Sequence, residues 1–387
     1  MNIRWKQRDT KEHHFKICIR SIRMNLNYSE EQTMLREQIQ KFCETEYDFY
    51  KREDVVKSDN DFDESVWALF AEQGWLSMPF SEESGGFGFG PIELSVLFEE
   101  FGKALVIEPY LSTVVLSGTL LDKSNFSGKA DVIQSICEGS MHVSLAYAEA
   151  AKSYEYNSPS CSLSSDMKLN GTKTLVLNGS NAAKVIVTCM KDDLLTLVIV
   201  DTNCEGVSQN SFKTIDGQSC SEITFENVSL STDSIISSGD EASTLLKDAL
   251  NLATLCVGAE AVGCMTSCYL KTVEYTKGRD QFDQPISNFQ VLQHRMVDMF
   301  IESELAKSLL FKAMLEVDVD SEEKYKHVSA LKAHVGKSGK LSAQDAVQLH
   351  GGMGVSDEMM IGHYLKKMIS IDALFGNADH HLALFSK

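Results

Sequence analysis

The hydrophobic pattern of this chain changes its period twice, and that order limits the folds open to it. From Ser29 to about Gly128, apolar residues recur at helical spacing, with Ser29 suited to an N-cap and Pro91 to the first turn of a helix. Alternating runs rich in Val, Leu, Ile and Thr follow, separated by Asn-Gly and Asp-Gly turns. Helical patterns return from about Glu241. The order predicts an α+β fold, with an antiparallel β unit between two helical parts.

The length of the chain, 387 residues, exceeds the usual size of one hydrophobic core. We expect an N-terminal helical domain at 24–135, a middle β domain at 136–235 and a C-terminal helical bundle at 240–387. Residues 1–23 are basic and poorly periodic, unlike the acidic remainder. This stretch is expected to precede a native start at Met24; the alternative is a basic targeting or partner-binding arm.

The charge of the chain limits its partners. A formal net charge of -19 argues against nucleic acid or an anionic membrane surface, because like charge repels phosphate groups. An anionic ligand therefore needs a local positive site. The ten cysteines show no CxxC pair and no zinc-like spacing, which predicts reduced thiols in a cytoplasmic protein without a metal site. No uninterrupted apolar run reaches the roughly 18 to 20 residues that span a bilayer, so we expect no membrane span.

Two segments in the C-terminal part carry recognisable motifs. "GRDQFDQPISNFQVLQHRMVDM" (278–299) resembles the Arg-x-x-Phe-Gly-x-Pro-Ile segment of the acyl-CoA dehydrogenase family and the Phe-Gln pair that follows it, with Asp283 in place of the Gly. "QLHGGMGVSDE" (348–358) resembles the family's Gln-x-x-Gly-Gly-x-Gly segment. The resemblance runs from about Tyr28 to the end of the chain, and it implies the fold of that family.

The resemblance also implies FAD as the cofactor. An Arg binds a dianionic pyrophosphate bidentately, and Gly lets the backbone approach a ligand without a Cβ in the way. Arg279 is implied to reach the FAD of a neighbouring subunit; the alternative is a surface Arg and a helix-ending Gly pair. The implied cofactor-binding residues are Arg279, Gln281, Phe282, Phe289, Gln290, Gln348, Gly351, Gly352, Tyr147 and Glu149.

The last two of these lie in "SLAYAEAA" (144–151), which resembles the strand and loop along the flavin ring and pyrophosphate. Tyr147 and Glu149 match the family pattern, whereas the Gly and Ser that follow in several members are missing. Lys152 or Ser153 is the expected substitute for the phosphate contact. The alternative for this stretch is a plain core strand that runs into a turn.

Two further stretches flank the expected site. In "KTLVLNGSN" (173–181), Leu175 and Leu177 stand where the family often places Trp and Thr against the flavin; the alternative is that both are strand core residues. "SGGFGFG" (84–90) does not have the spacing of a dinucleotide-binding loop, and no strand precedes it. We expect it to form the edge of a pocket.

The expected catalytic base is missing. Desaturation of an acyl thioester needs a base for the α-proton, while the β-hydrogen leaves as hydride to the flavin. Most family members have a Glu where "LFGNADHH" has Phe375, and a second branch has a Glu at the position of Ala253. Glu260 lies about 10 Å further along the helix, at 1.5 Å per residue. Glu260 and the two carboxylates that flank Phe375, Asp372 and Asp379, are the remaining candidates for the base.

The tail resembles the base-less subunit of bacterial acyl-CoA dehydrogenases that are built from two different homologous subunits, including some for steroid side chains. The resemblance therefore implies an FAD-dependent acyl-CoA dehydrogenase, or a subunit of one that lacks the Glu. It implies an acyl-CoA substrate, an electron-transfer flavoprotein as acceptor and a homo- or hetero-oligomer. The alternatives are a non-catalytic structural or acyl-CoA-binding subunit, and a flavin-dependent oxidase of the same fold.

Overall fold

The computed structural model describes residues 28–152 and 154–387. The expectations for residues 1–23, Met24 and Ser153 lie outside the described residues. Within the described part, helices come first, a sheet follows, and helices return, so the α+β prediction is confirmed.

The N-terminal part is helical, and its helix starts follow the capping signals of the sequence. Ser29 caps the first helix: its Oγ accepts from the Gln32 amide while the Gln32 side chain accepts from the Ser29 amide. Pro91 begins the fourth helix. The helices are α1 (Glu30–Thr45), α2 (Phe49–Lys57), α3 (Glu64–Glu72), α4 (Pro91–Ala104), α5 (Thr119–Lys123) and α6 (Lys129–Cys137).

The middle of the chain forms a mixed sheet. Its strands are β1 (Val143–Ala146), β2 (Ser162–Leu163), β3 (Lys168–Leu177), β4 (Lys184–Lys191), β5 (Leu194–Asp201), β6 (Val207–Lys213), β7 (Ser219–Ser229) and β8 (Ile235–Ser238). The order is β6–β7–β3–β2–β4–β5–β8, with β1 also beside β4. Most neighbours are antiparallel as predicted, but β1 and β2 run parallel to β4. Alternating hydrophobicity reports which face of a strand is buried and not the direction of its neighbour.

The C-terminal part is a bundle of long helices around α7. Its elements are α7 (Asp240–Gly278), β9 (Asp280–Gln281), β10 (Gln284–Pro285), α8 (Gln290–Asp318), α9 (Lys324–His334), α10 (Lys340–His350), α11 (Met360–Ala373) and α12 (Ala378–Phe385). Helix α7 is long and apolar enough to cross a membrane by length and composition, yet 83% of its most apolar stretch is buried inside the fold. It is therefore the core helix of this bundle.

Helices α4 and α7 touch backbone to backbone through two glycines. A Cβ on Gly102 would lie 2.0 Å from the carbonyl oxygen of Glu260, and one on Gly263 would lie 1.9 Å from that of Glu99. Only glycine permits this approach. The contact packs α4 of the N-terminal part directly against α7 of the bundle.

A buried polar network joins all three parts of the fold. Arg52 of α2 donates to the Asp216 carbonyl at 2.9 Å, and the Ser370 hydroxyl of α11 donates to the Asp216 carboxylate at 2.7 Å. The Lys367 amine lies 3.4 Å from that carboxylate and 2.7 Å from the carboxylate of Glu260 on α7. Asp216 belongs to the turn between β6 and β7, so charges from helices and sheet meet in one place.

Candidate functional site

A cavity of about 730 Å³ opens where the sheet meets the bundle. Its walls are residues 154–158 of the loop that follows β1, one face of α7, one face of α9, and the chain from Phe375 through α12. The volume is in the range of about 300 to 1,000 Å³ that small-molecule sites occupy. This cavity is the candidate site for an acyl thioester.

The inner end of the cavity is aromatic. The ring of Phe375 stacks on that of Tyr147, with centroids 6.3 Å apart, and Tyr156 meets Tyr147 edge-on at 5.5 Å. Burial raises the pKa of Tyr147 and raises that of Tyr156 to about 12, so both phenols stay protonated near neutral pH. Only 3% of Phe375 is exposed. The position expected to hold a base holds a packed ring.

The second expected base position also carries no carboxylate. Ala253 is fully buried in α7, and the adjacent Thr254, which lines the cavity, donates its hydroxyl to the Leu250 carbonyl at 2.6 Å. Glu260 is bound in the buried ion pair with Lys367 at 2.7 Å. Burial raises the pKa of Glu260, although Lys367 opposes this rise. Glu260 therefore serves the polar network of the core.

The two carboxylates near Phe375 are used otherwise. Asp372 pairs with Lys340 at 2.8 Å and accepts from the Ala378 amide at 3.0 Å, so it holds the start of α12. Asp379 is exposed in the first turn of α12, where a negative charge favours the helix dipole. Two carboxylates that the sequence reasoning did not name, Glu155 and Glu322, line the cavity and are solvent-exposed.

Three lysines that were also missed line the cavity: Lys247, Lys326 and Lys387. The Lys247 amine lies 3.6 Å from the ring centroid of Tyr325, and that of Lys326 lies 5.7 Å from the ring centroid of Phe385. They supply the local positive charge that an anionic ligand of this acidic chain needs. The three lysines come from different stretches of the sequence, so no local sequence pattern predicts that they line one cavity.

The Arg279 segment forms an exposed hairpin. Phe282 and Asp283 connect β9 to β10 with φ of 55° and 63°, a two-residue turn in which Asp tolerates the left-handed conformation that the family's Gly adopts freely. Arg279, Gln281 and Phe282 are exposed, and Phe282 meets Phe289 edge-on at 6.0 Å. The replacement by Asp283 thus keeps the hairpin.

The Gln348 segment lies close to this hairpin. The Tyr275 ring, one turn before Arg279, stacks on His350 at 4.1 Å. The next residue, Gly351, has φ 60° and ψ -137°, a conformation open to glycine. A Cβ on Gly351 or on Gly352 would meet no described atom within 4 Å. The exposed guanidinium of Arg279 and the open backbone at Gly351 and Gly352 are the groups that would hold the pyrophosphate and adenine of FAD; Gln290 and Gln348 are also exposed.

Glu149 is satisfied within the chain. Its carboxylate accepts from the Lys173 amine at 2.7 Å and from the amides of Ser160 and Cys161 at 2.6 and 3.0 Å. Burial works to raise the pKa of Glu149, but these bonds outweigh it and the pKa is lowered. The residue pins the loop after β1 to the sheet, and its direct contact with a cofactor stays a prediction.

Strand β3, which is expected to lie beside the flavin, has leucines at the two positions of interest. Leu175 sits at a register shift of β3 with φ 51° and is 49% exposed, so it is not a core residue; Leu177 is buried. Neither offers the hydroxyl expected beside a flavin ring. Phe89 and Gly90 of the glycine-rich loop border a second cavity of about 190 Å³, so this loop edges a pocket, as expected.

Comparisons with known proteins identify the family and the fold. Two family descriptions match: acyl-CoA dehydrogenase, N-terminal domain, over residues 29–140, and acyl-CoA dehydrogenase, C-terminal domain, over residues 243–387. The chain is 26% identical over 367 residues to the Probable acyl-CoA dehydrogenase YngJ of Bacillus subtilis, covering 89% of this chain and 93% of that protein. It is 26% identical over 351 residues to the acyl-CoA dehydrogenase IpdE2 of Mycolicibacterium smegmatis, covering 90% and 95%.

Among solved structures, a chain of the ChsE4-ChsE5 complex from Mycobacterium tuberculosis matches with a TM-score of 0.85 and 22% identity, over 94% of this chain and 98% of that one. At this identity the match speaks for the fold alone. Family descriptions, relatives and fold agree. The chain belongs to the acyl-CoA dehydrogenase family, whose members are flavin-dependent oxidoreductases that act on CH–CH bonds.

Proposed function

We propose that this chain is the base-less subunit of a hetero-oligomeric acyl-CoA dehydrogenase and that it binds acyl-CoA in the cavity beside Phe375. The observation that carries the proposal is the ring of Phe375, packed on Tyr147 where the family's base is expected. The other expected position, Ala253, is a buried methyl group. A chain without either carboxylate lacks the usual route for removing an α-proton.

The residues of this chain bind and orient the substrate. Lys247 and Lys326 attract the phosphates of the CoA carrier, since each lies on the wall of the cavity in an otherwise acidic protein. Tyr156 and Phe375 exclude water from the inner end, where the acyl group is placed. FAD, when bound, supplies the acceptor for the β-hydride. Arg279 reaches the phosphates of the FAD of a neighbouring subunit, and the segment from Gln348 to Gly352 lets backbone approach the adenine side.

We infer that the partner is a homologous subunit that carries the Glu, and that an electron-transfer flavoprotein accepts the electrons. The ChsE4-ChsE5 complex is an assembly of two different chains, which supports this partner. Helix α8 also presents four half-exposed apolar side chains that an interface would bury: Val297, Phe300, Ile301 and Leu305. The acidic charge and the free cysteines among the described residues support a cytoplasmic location.

The test is to purify the full chain alone and with a homologous subunit encoded nearby, and to record flavin absorbance before and after adding a panel of acyl-CoAs. We expect no bleaching by the chain alone and bleaching by the complex, lost again when the partner's Glu is replaced by Gln. Turnover by the purified single chain would contradict the proposal.

A second function is favoured by the loss of two expected flavin contacts. Leu177 offers no hydroxyl beside the expected flavin ring, and Ala150 and Ala151 replace residues that contact phosphate in several family members. A subunit that binds acyl-CoA but no flavin would fit this loss. Flavin content separates the two: a complex with half the flavin of a homodimeric relative per chain favours the second function.

A further inference from the structure

One face of α7 runs along the candidate cavity. Four residues of this helix line the cavity wall: Lys247, Leu250, Asn251 and Thr254. Their spacing of three, four and seven residues puts them on a single stripe of the helix. Thr254 adjoins Ala253, one of the two expected base positions, and Lys247 lies about 10 Å from Thr254 along the helix at 1.5 Å per residue. Thr254 therefore marks the inner end of the stripe and Lys247 its outer end.

Helix α9 and the turn before it line the cavity with the same spacing. Their cavity residues are Glu322, Tyr325, Lys326 and Ser329. Ser329 lies at the inner end, because its hydroxyl is 3.2 Å from Nδ1 of His381, whose Nε2 is 3.2 Å from the Phe375 carbonyl. Tyr325 lies at the outer end, against Lys247. The two stripes thus share one polarity, with charged side chains outside and hydroxyls and aromatic rings inside.

Tyr325 reaches from α9 to α7 and contacts Lys247. Its hydroxyl donates to the Asp248 carboxylate at 2.6 Å, and the Lys247 amine lies 3.6 Å from the centroid of its ring. A lysine ammonium over an aromatic face is attracted by the ring quadrupole. Asp248 also pairs with Lys324 at 2.9 Å, so the carboxylate next to Lys247 in the sequence neutralises another lysine. The hydroxyl bond fixes the ring, and the ring holds the ammonium at the cavity wall.

The separation of the two ends matches the carrier of an acyl thioester. An extended pantetheine arm of about a dozen bonds near 1.5 Å, in a zigzag, spans roughly 15 Å from the thioester sulfur to the first phosphate. The axial distance from Thr254 to Lys247 is about 10 Å. The Lys247 side chain adds to this distance, because side chains of a helix tilt toward its N-terminus, which is here the outer end. A thioester held beside positions 253 and 375 therefore brings its first phosphate to the Lys247 amine.

We propose that Tyr325 is the positioning residue that holds the Lys247 amine as the contact for the CoA phosphates, so that this subunit selects thioesters whose carrier brings a phosphate one pantetheine arm away from the acyl group. The inference rests on the proposed function, in which this cavity takes acyl-CoA. Lys247 is the group that touches the carrier. Tyr325 acts through Lys247.

The experiment measures dissociation constants by calorimetry on the full chain or on its complex with the homologous subunit. The first probe is the acyl-CoA that binds most tightly in a panel of straight-chain and steroid-side-chain acyl-CoAs. The second is the acyl-pantetheine with the same acyl group, which has no phosphate. Lys247→Met is expected to raise the dissociation constant of the acyl-CoA by about ten- to hundredfold, as the loss of charge-assisted bonds does. The dissociation constant of the acyl-pantetheine should stay unchanged.

The ring of Tyr325 is tested by two substitutions. Tyr325→Leu removes the aromatic face and should weaken acyl-CoA binding by about two- to fivefold, whereas Tyr325→Phe keeps this face and should stay within about twofold of wild type. A purely structural role of Tyr325 would weaken the binding of both thioesters alike. The double variant of Lys247→Met and Tyr325→Leu should bind acyl-CoA as Lys247→Met does, because the ring acts through the amine.

The matched control is Lys271→Met. Lys271 is an exposed lysine of α7 outside the cavity wall, so its variant loses the same charge and should keep both dissociation constants. If Tyr325→Leu does not fold, Tyr325→Met is measured in its place. Equal effects of Lys247→Met and Lys271→Met, equal effects on the two thioesters, or wild-type binding without the ring would overturn the inference alone. Absence of acyl-CoA binding by the wild-type protein would instead refute the proposed function.

Discussion

Phe375 and Tyr147 lie ring on ring, with centroids 6.3 Å apart and planes inclined by 28°. Tyr147 follows β1 of the sheet, and Phe375 lies between α11 and α12, so this contact joins sheet and bundle at the inner end of the cavity. The partner of Phe375 is thus an aromatic face. A carboxylate at this position would meet a surface shaped for a ring.

Phe375→Glu is expected to leave the single chain unable to reduce its flavin with acyl-CoA. Proton abstraction needs reacting atoms about 3 to 3.5 Å apart. A Glu at position 375 would lose the stacking on Tyr147, while the carbonyls of residues 375 and 376 would stay hydrogen-bonded to His381 and Lys332. Flavin bleaching in the presence of an acyl-CoA panel is the measurement. Phe375→Gln is the control of equal size; rapid bleaching by the Glu variant and none by the Gln variant would show that the pocket already fits a base.

Arg279→Ala is expected to weaken FAD retention. Loss of charge-assisted bonds costs about 1.5 to 3 kcal/mol, which corresponds to roughly a ten- to hundredfold rise in the dissociation constant. Flavin content after gel filtration and a titration of the apoprotein measure it. Arg295 of α8, which pairs with Asp345 of α10 at 3.2 Å, provides the matched Arg→Ala control. Equal flavin content in both folded variants would rule out the contact.

Lys367→Met is expected to lower the free energy of unfolding by about 3 to 5 kcal/mol, because it leaves buried carboxylates without a counter-charge. Urea unfolding followed by circular dichroism measures this change. Its neighbour Lys366 pairs with Asp357 at 3.0 Å on the surface, and Lys366→Met should cost no more than about 1 kcal/mol. Similar decreases of the free energy of unfolding in the two variants would show that the buried network does not stabilise the fold.

The contribution of Lys332 to the stability of the protein is expected to rise as pH increases from about 7 toward 9. Burial lowers the pKa of Lys332 to about 7, with Asp372 opposing the shift. Above pH 7 the unfolded chain therefore binds more protons at this residue than the folded chain, and stability rises with pH. The slope from one group is at most about 1.4 kcal/mol per pH unit. The urea midpoint should therefore rise more steeply with pH in the control variant Lys340→Met than in Lys332→Met, which lacks the titrating amine.

Much of the architecture follows from local signals in the sequence. The Ser29 cap and Pro91 mark helix starts, and the long apolar repeats give α7 and α8 nearly whole, because helical periodicity and capping depend on near neighbours. Strand β6 (207–213) was missed, since its polar side chains are largely exposed and show no alternation. The parallel pairing of β1 with β4 was missed because it depends on residues some forty positions apart.

The site was harder to predict, for a physical reason. A sequence motif identifies residues such as Arg279 and Gly351, because their expected roles depend on side-chain type and spacing. Lys332 and His381 make hydrogen bonds with the backbone carbonyls of Gly376 and Phe375. Because every residue has a carbonyl, the sequence does not indicate these partners. A lysine in a helix reads as a surface residue until burial shows otherwise. The pairing of Glu149 with Lys173 was hidden in the same way, across a loop and a strand.

The buried network of Arg52, Asp216 and Lys367 has a consequence for engineering. Each contributes from a different third of the chain, and a chimera that takes the sheet from a relative with another residue at position 216 removes the carboxylate that faces Lys367. The buried charges of such a hybrid would no longer balance in the way they do in this chain. The Asp216 carboxylate and the Lys367 amine are therefore best exchanged as a pair, because either one alone leaves a buried charge without its partner.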